Sequence, residues 1–295
     1  MAAPPPSGAP SVSPSMAASV ALLVVAMSSI QGGAAVASTL FPIAGPAGVV
    51  ALRLVFGAAM LSVALRIWRS VPTGADWKPV LAYGVSLGLM NLCFYESLAR
   101  IPLGIAVALE FTGPLALAAY SSRKPLDLLW VALAVGGLLL LTPLAGAADL
   151  DPLGVMFGLL AGVFWAGYIV SGQAAGARLG VPAAAWGSLV AAALVAPFGL
   201  IHVGAGLLDP NLIFPAMAVA LLSTACPYAL EMLVMGRMDV RVFGVLMSLE
   251  PAIGAFSGWF FLHQALTGQQ MLAVSAVIAA SSGVAVTARR AAPDG

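Results

Sequence analysis

The chain has 295 residues, of which 61% are apolar and 8% charged, with a formal net charge of +1 and a mean hydropathy of +1.05. Soluble domains carry roughly 45–50% apolar and about 25% charged residues, so the composition excludes a soluble globular protein and points to a polytopic membrane protein. A charge balance this close to neutral gives no basic footprint for nucleic acid, and no nucleic-acid partner is expected.

Residues 1–16 are rich in Pro, Ser and Ala and carry no charged side chain. Such a segment buries too little apolar surface to order itself, so it reads as a disordered cytoplasmic tail. A bilayer-crossing helix needs about 20 mostly apolar residues. Ten windows meet that requirement: 17–37, 47–68, 79–99, 102–121, 126–144, 152–172, 182–203, 211–235, 241–262 and 268–288. The gaps leave no room for a soluble domain. The first window is too long, and its leading segment too poor in Lys and Arg, for a cleaved signal peptide.

With the N-terminus in the cytoplasm, ten of the twelve basic residues fall on the inner side: Arg66, Arg69, Lys78, Arg123, Lys124, Arg178, Arg237, Arg241, Arg289 and Arg290. Arg100 is then outside and Arg53 lies within the second helix. The positive-inside rule therefore gives both termini, including a short tail at 289–295, to the cytoplasmic face of the membrane. Cys93 and Cys226 fall inside helices, where a thiol packs as a small apolar group.

The chain also reads as a duplication. A shift of 135 positions lays Gly45 on Gly180 and Leu54 on Leu189, and a shift of 137 lays Arg100 on Arg237 and Pro114 on Pro251. The apolar windows coincide, which divides the chain into units at 17–144 and 152–288. Five helices per unit is an odd number, so the second unit starts on the opposite side. The fold expected is all-α, ten transmembrane helices as two inverted five-helix repeats, an architecture suited to alternating access around a central site. Glycines at four-residue spacing (Gly154, Gly158 and Gly162; Gly172, Gly176 and Gly180; Gly84 and Gly88; Gly254 and Gly258) form smooth faces that let helices approach closely.

All four glutamates, Glu96, Glu110, Glu231 and Glu250, fall inside apolar windows, while the aspartates read as residues of the polar gaps. A carboxylate at mid-bilayer depth costs about 2.5–3.5 kcal/mol or more to insert, so such groups face a cavity, a partner or a solute. Glu110 is near the middle of the fourth window, and Pro114, four residues on, cannot donate to its carbonyl. Thr112 and Gly113 loosen the same turn. An unwound turn carrying an acid suits an ammonium group or a proton; a protonated Glu that only packs is the plainer alternative. Glu250-Pro251 answers in the ninth window, but by the repeat shift Met247, not Glu250, takes the place of Glu110, so the two acids are not equivalents. Sequence leaves open which of them binds substrate and which couples to protons.

Glu231 follows Pro227 by four residues, about a turn from the inner end of its helix, where either a gate or ordinary water access fits. Glu96 precedes Arg100 at i+4 in the favourable order and reads as an interfacial pair. Arg53 sits some six residues into the second window, deep enough to bind a carboxylate yet within snorkelling reach of the interface. Gln31 with Ser28 and Ser29, Asn91 with Tyr95, and Ser171 with Gln173 add neutral polar groups that bridge helices. Tyr83, Trp165, Tyr168 and Tyr228 either wall a cavity or pack as core. No GxxxxGK[ST] or HExxH stretch is present. The two histidines, His202 and His263, lie far apart near helix ends. An enzyme is not expected, nor is a cofactor, and an ion gradient would supply the energy.

Four runs then carry a resemblance: residues 27–34 (MSSIQGGA), 102–116 (PLGIAVALEFTGPLA), 228–232 (YALEM) and 247–251 (MSLEP). Over roughly 17–288 the chain resembles the threonine/homoserine exporters of the drug/metabolite transporter superfamily, EamA type. The resemblance implies a ten-helix inner-membrane exporter of small neutral amino acids driven by proton antiport. It carries Gln31, Glu110, Thr112, Glu231 and Glu250 as site residues. At the end of the ninth window the chain departs from the family, with His263-Gln264 where Gly-Glu is common. The expected partners are a small amino acid, protons and membrane lipid. A broader drug or metabolite exporter, or a scaffold or sensor that moves no solute, are the alternatives.

Overall fold

The computed structural model describes residues 16–38, 40–98, 100–101, 103–121, 125–141, 151–247 and 249–250, with short stretches between 253 and 283. All regular elements among them are helical: α1 Met16–Ser38, α2 Phe41–Ala64, α3 Trp77–Leu98, α4 Leu103–Ser121, α5 Pro125–Leu141, α6 Pro152–Leu179, α7 Pro182–Val203, α8 Pro210–Ala220, α9 Cys226–Met235 and α10 Val240–Met247. A π-helical turn, Leu221–Ala225, joins α8 to α9. Among the described residues, Phe41–Ala64, Pro152–Leu179, Pro182–Val203 and the merged Pro210–Met235 are long and apolar enough to cross a bilayer. Met16, the last residue of the tail expected at 1–16, opens α1 instead; the rest of that tail, the tail at 289–295, and Pro251, Gly254, Gly258, His263 and Gln264 lie outside the described residues.

Local chemistry sets the boundaries. Proline occupies the first turn of α2, α6, α7, α8 and α9, where its missing N–H has no intrahelical partner to lose. Asp151 and Asp209 cap α6 and α8 by accepting from the N–H groups of Leu153 and Asn211, each at 2.8 Å. Arg66 turns left-handed, with φ 48°, which ends α2 at Ala64, short of the expected 68. Conversely α6 runs on to Leu179, seven residues past its window, and stops at Gly180 with φ 64°. One aspartate departs from the sequence reading. Asp127, which falls just inside the 126–144 window, is buried and sits in the first turn of α5, where a helix N-terminus favours an acidic group.

In the bundle α3 lies along α6 and α7, α2 along α7 and α8, α4 against α6, α1 against α8 and α9, and α10 against α4. These contacts are close because the touching faces are small. A Cβ built on Gly113 of α4 would lie 1.8 Å from the Gly162 carbonyl oxygen of α6, and one on Gly187 of α7 would lie 1.9 Å from the Tyr83 ring. Lipid tails are as apolar as leucine, so such van der Waals contact, more than hydrophobic exclusion, holds helices together. Gly154, Gly158, Gly162, Gly172 and Gly176 are all buried on α6, whereas Gly180 caps the helix instead.

The two ends of the bundle differ. At one, Arg178 pairs with Asp76 at 3.2 Å, the Trp186 indole N–H donates to the Ser70 carbonyl at 3.0 Å, and the Trp77 and Trp186 rings meet edge-on at 5.5 Å. The Asp76 carboxyl, which accepts from the Thr73 N–H at 3.2 Å, is held below the usual carboxylate range by that bond and then by Arg178. At the other end Arg100 pairs with Glu96, approaches Asp151 at 4.0 Å, and Ser97 donates to the Gly154 carbonyl at 2.9 Å.

Candidate functional site

Interior polar groups gather where α2, α3, α4, α6, α9 and the residues after α10 converge. Arg53 of α2 is 8% exposed, so it does not snorkel. Its Nη2 donates to the Asn91 Oδ1 of α3, and its guanidinium carbon lies 5.9 Å from the Tyr95 ring centroid. Asn91 in turn donates from Nδ2 to the Leu87 carbonyl one turn back, at 2.8 Å. That bond fixes the amide so that its oxygen meets the arginine. Asn91 also meets the Tyr228 side chain of α9.

Across from these, Glu110 of α4 is buried and interacts electrostatically with Glu250 and Arg53. Glu250, half-buried just past α10, is in turn in electrostatic contact with Glu231. Glu231 is 3% exposed and accepts a 2.6 Å hydrogen bond from the Tyr168 hydroxyl of α6. In this structure Glu231 is thus buried and bonded to protein, not exposed to water. The Tyr168 and Tyr83 rings stack at 5.0 Å, and the Phe111 and Trp165 rings meet edge-on at 4.6 Å, closing an apolar wall around the acids. Three acids in a row, with one guanidinium beside Glu110, leave room for an added positive charge, whether a proton or an ammonium group, because like charges at close range disfavour one another.

The structure thus brings together Arg53, Asn91, Glu110, Tyr228, Glu231 and Glu250. Thr112 is not among them. It is exposed, and its hydroxyl donates to the Leu109 carbonyl of its own helix. Gln31 lies on α1, two residues before the contact of Gly33 with Ser223; its side chain is outside the described residues. Glu96 stays with Arg100 at the bundle end, as the spacing suggests.

The turn at Glu110 is also not unwound. α4 is helical through Pro114. A Cβ on Gly162 would lie 2.8 Å from the Glu110 carbonyl oxygen and 3.1 Å from that of Leu109, so the carbonyl freed by Pro114 faces the bare backbone of α6. Close Cα–H···O approach of this kind steadies a helix crossing, and the break expected at α4 is absorbed there. The helix does depart from α-geometry ahead of Glu231, where Leu221–Ala225 is π-helical and Pro227 follows. Tyr168, read only as cavity wall or core, is the residue that sequence reasoning undervalued. Its bond to Glu231 spans 63 positions, and no local spacing reveals it.

Toward the Arg100 end a cavity of about 510 Å³ opens between α2, α3 and the end of α7, lined by Gly45, Val50, Leu92, Tyr95, Glu96 and His202. Gly45, with φ 59° and ψ 169°, kinks the start of α2 there. This backbone region is essentially open to glycine alone. Tyr95 is shared, lining the cavity and lying against Arg53.

Membrane-length helices enclosing a cluster of acids and one arginine define a helical membrane transport protein. The EamA-like transporter family matches residues 152–286. The chain is 50% identical over 272 residues to the threonine/homoserine exporter RhtA of Escherichia coli (strain K12), covering 92% of each chain. It is 49% identical to the exporter of that name from Salmonella typhimurium (strain LT2), with the same coverage. A solved crystal structure superposes with a TM-score of 0.75 at 20% identity, covering 94% of this chain and 99% of that one; it supports the fold alone. The chain belongs to the EamA-like transporter family, a family of carriers and not of enzymes.

Proposed function

We propose that this chain exports small neutral amino acids of the threonine and homoserine type across the inner membrane, by alternating access coupled to proton movement. The observation that carries the reading is the interior cluster of Glu110, Glu231, Glu250 and Arg53 in a chain half identical to threonine/homoserine exporters. Glu110 faces the substrate ammonium, and the remaining acids carry protons between the two sides.

Ten transmembrane helices in two inverted repeats, at 17–144 and 152–288, give the cluster its setting. Three features support this arrangement. Gly45 and Gly180, matched by the 135-residue shift, both adopt positive φ at the start of a long helix. The pairs α1 with α8–α9 and α3 with α6, and likewise α3 with α7 and α2 with α8, exchange with one another under the repeat, while α2 with α7 maps onto itself. A shift of 137 also carries Asn91 onto Tyr228, and those two side chains meet. Residues exchanged by a two-fold axis touch only where they lie beside it, which supports a cluster close to the proposed axis. The shared end of Arg66, Arg69, Lys78 and Arg178 would be cytoplasmic, with the termini.

Reconstitution in liposomes with a panel of radiolabelled amino acids and an imposed pH gradient tests the reading. Threonine and homoserine should exchange, and Glu110→Gln or Glu250→Gln should abolish pH-driven export while leaving folded protein in the membrane. No counterflow of any amino acid would favour a scaffold. Resistance to cationic dyes without resistance to toxic amino-acid analogues would favour a broader exporter.

A further inference from the structure

Arg53 is unusually exposed in one chemical sense although sterically buried. Its Nε finds no hydrogen-bond partner among the described residues, and it takes part in no ion pair among them. Its polar neighbours in contact are a neutral amide, Asn91 Oδ1, and the Tyr95 ring. Glu110 is felt electrostatically but does not pair with it. A guanidinium at 8% exposure without a counter-charge in contact among the described residues is a costly arrangement. Guanidinium presents donors in a rigid fork that matches a carboxylate two bonds at a time. Among the described residues Asn91 engages the Nη2 corner, and the Nε edge, sealed from solvent in this conformation, remains unused.

We propose that the Nε edge of Arg53 receives the α-carboxylate of the amino-acid substrate, with Asn91 as the positioning residue that aims the fork and Tyr95 as the ring between this subsite and the outer cavity. The inference rests on the amino-acid export reading and adds the orientation of the ligand. The carboxylate lies toward α2 and the ammonium toward Glu110 on α4. Two features favour a carboxylate at this place. Tyr95 lines the 510 Å³ cavity and lies against the guanidinium, so one ring separates Arg53 from the cavity. Val50, one turn before Arg53, also lines that cavity, which keeps the route on one face of α2.

The subsite makes a selectivity claim separate from transport itself. In proteoliposomes, threonine counterflow is competed with unlabelled threonine, with its methyl ester, which lacks the carboxylate, and with N-acetylthreonine, which lacks the ammonium. Wild type should reject both analogues. A hydrogen bond to a charged group is worth a factor of about 10 to 100, so Arg53→Gln should weaken threonine by about that factor and bring the ester level with it. N-acetylthreonine should still be rejected. Arg53→Lys keeps the charge but loses the fork, and should fall between. Asn91→Ala should weaken threonine without raising the ester to parity.

An Arg53→Gln protein that still prefers threonine over its ester as strongly as wild type overturns the proposal, as does a wild type that takes both equally. If Arg53→Gln does not fold, the acid-to-ester ratio of Arg53→Lys decides: an unchanged ratio rejects the subsite and a lowered one supports it. Should wild type move another amino acid in place of threonine, the substrate reading above fails, and the same acid-to-ester comparison with that amino acid still tests Arg53. A protein that moves no amino acid overturns both.

Discussion

Removing the Tyr168 hydroxyl isolates one bond that ties α6 to α9 within the second unit. Tyr168→Phe keeps the ring, its 5.0 Å stack on Tyr83 and the fit against α3, and deletes only the donor 2.6 Å from Glu231. Hydrogen bonds to charged groups contribute about 1.5–3 kcal/mol in soluble proteins, whereas interhelical bonds in a membrane protein average about 0.6 and reach about 1.7 kcal/mol. The membrane value is low because the unfolded helices find other partners in the bilayer. This bond belongs near the upper membrane value. Tyr168 and Glu231 are 1% and 3% exposed, so water does not substitute for the lost donor, and the acceptor is a carboxyl group. A coupling of about 1.5 kcal/mol follows, roughly tenfold in the unfolding equilibrium. The measurement is a double-mutant cycle of Tyr168→Phe and Glu231→Ala in mixed micelles, followed by tryptophan fluorescence, with Trp165 one turn from the altered ring. Strictly additive losses, within about 0.3–0.5 kcal/mol, would refute the reasoning and leave Tyr168 as wall alone.

Three further outcomes are expected. Gly113→Ala places a methyl 1.8 Å from the Gly162 carbonyl oxygen, forcing α4 and α6 apart, and should lower stability by about 1–3 kcal/mol. Gly136→Ala, with no atom within 4 Å of the new methyl, should not, and equal melting shifts for the pair would count against the packing account. Gly45→Ala meets open space but needs φ 59° with ψ 169°, a strain of about 1–3 kcal/mol, so an unchanged or raised melting temperature contradicts the kink. At Asp76 the folded carboxyl lies below its ordinary value near 3.8, so its stabilising contribution is present above that pH and lost as pH falls through the lowered folded value. Asp76→Asn should flatten the acid limb of a stability–pH profile in that window, and an identical limb in both proteins would argue against the Thr73 and Arg178 contacts.

Much of the architecture is legible in the chain because lipid imposes a single requirement, twenty or so apolar residues per crossing, and the described helices fall close to those windows. The site is legible for a related reason. An acid inside an apolar window is expensive, so Glu110, Glu231 and Glu250 announce themselves, and Arg53 does likewise. What the sequence leaves hidden depends on partners far along the chain. Pro114 predicts an opened turn by local rules, yet Gly162, 48 positions away, meets the freed carbonyl and keeps α4 helical. Arg53 is equally able to snorkel or to bind until Asn91 is seen holding it inward. Thr112 shares a motif with Glu110 but, two residues on, faces outward by helical geometry.

The polar groups of the cluster do not share the symmetry proposed for the backbone. Arg53 and Glu110 come from α2 and α4 of the first unit, whereas Tyr228, Glu231 and Glu250 come from the second. The 135-residue shift carries Arg53 onto Ser188, and the 137-residue shift carries Glu110 onto Met247, so the second unit repeats neither handle. On the proposed reading, a zwitterion held between Arg53 and Glu110 is anchored wholly to one unit. The other then brings Glu231 and Glu250 toward the ligand or takes them away as the units rock. Near-equal halves make the inward and outward shapes close in energy. Glu231 and Glu250, carried by that second unit, would make the balance between those shapes sensitive to protons and substrate, because a ligand shifts such an equilibrium only by its difference in affinity for the two states.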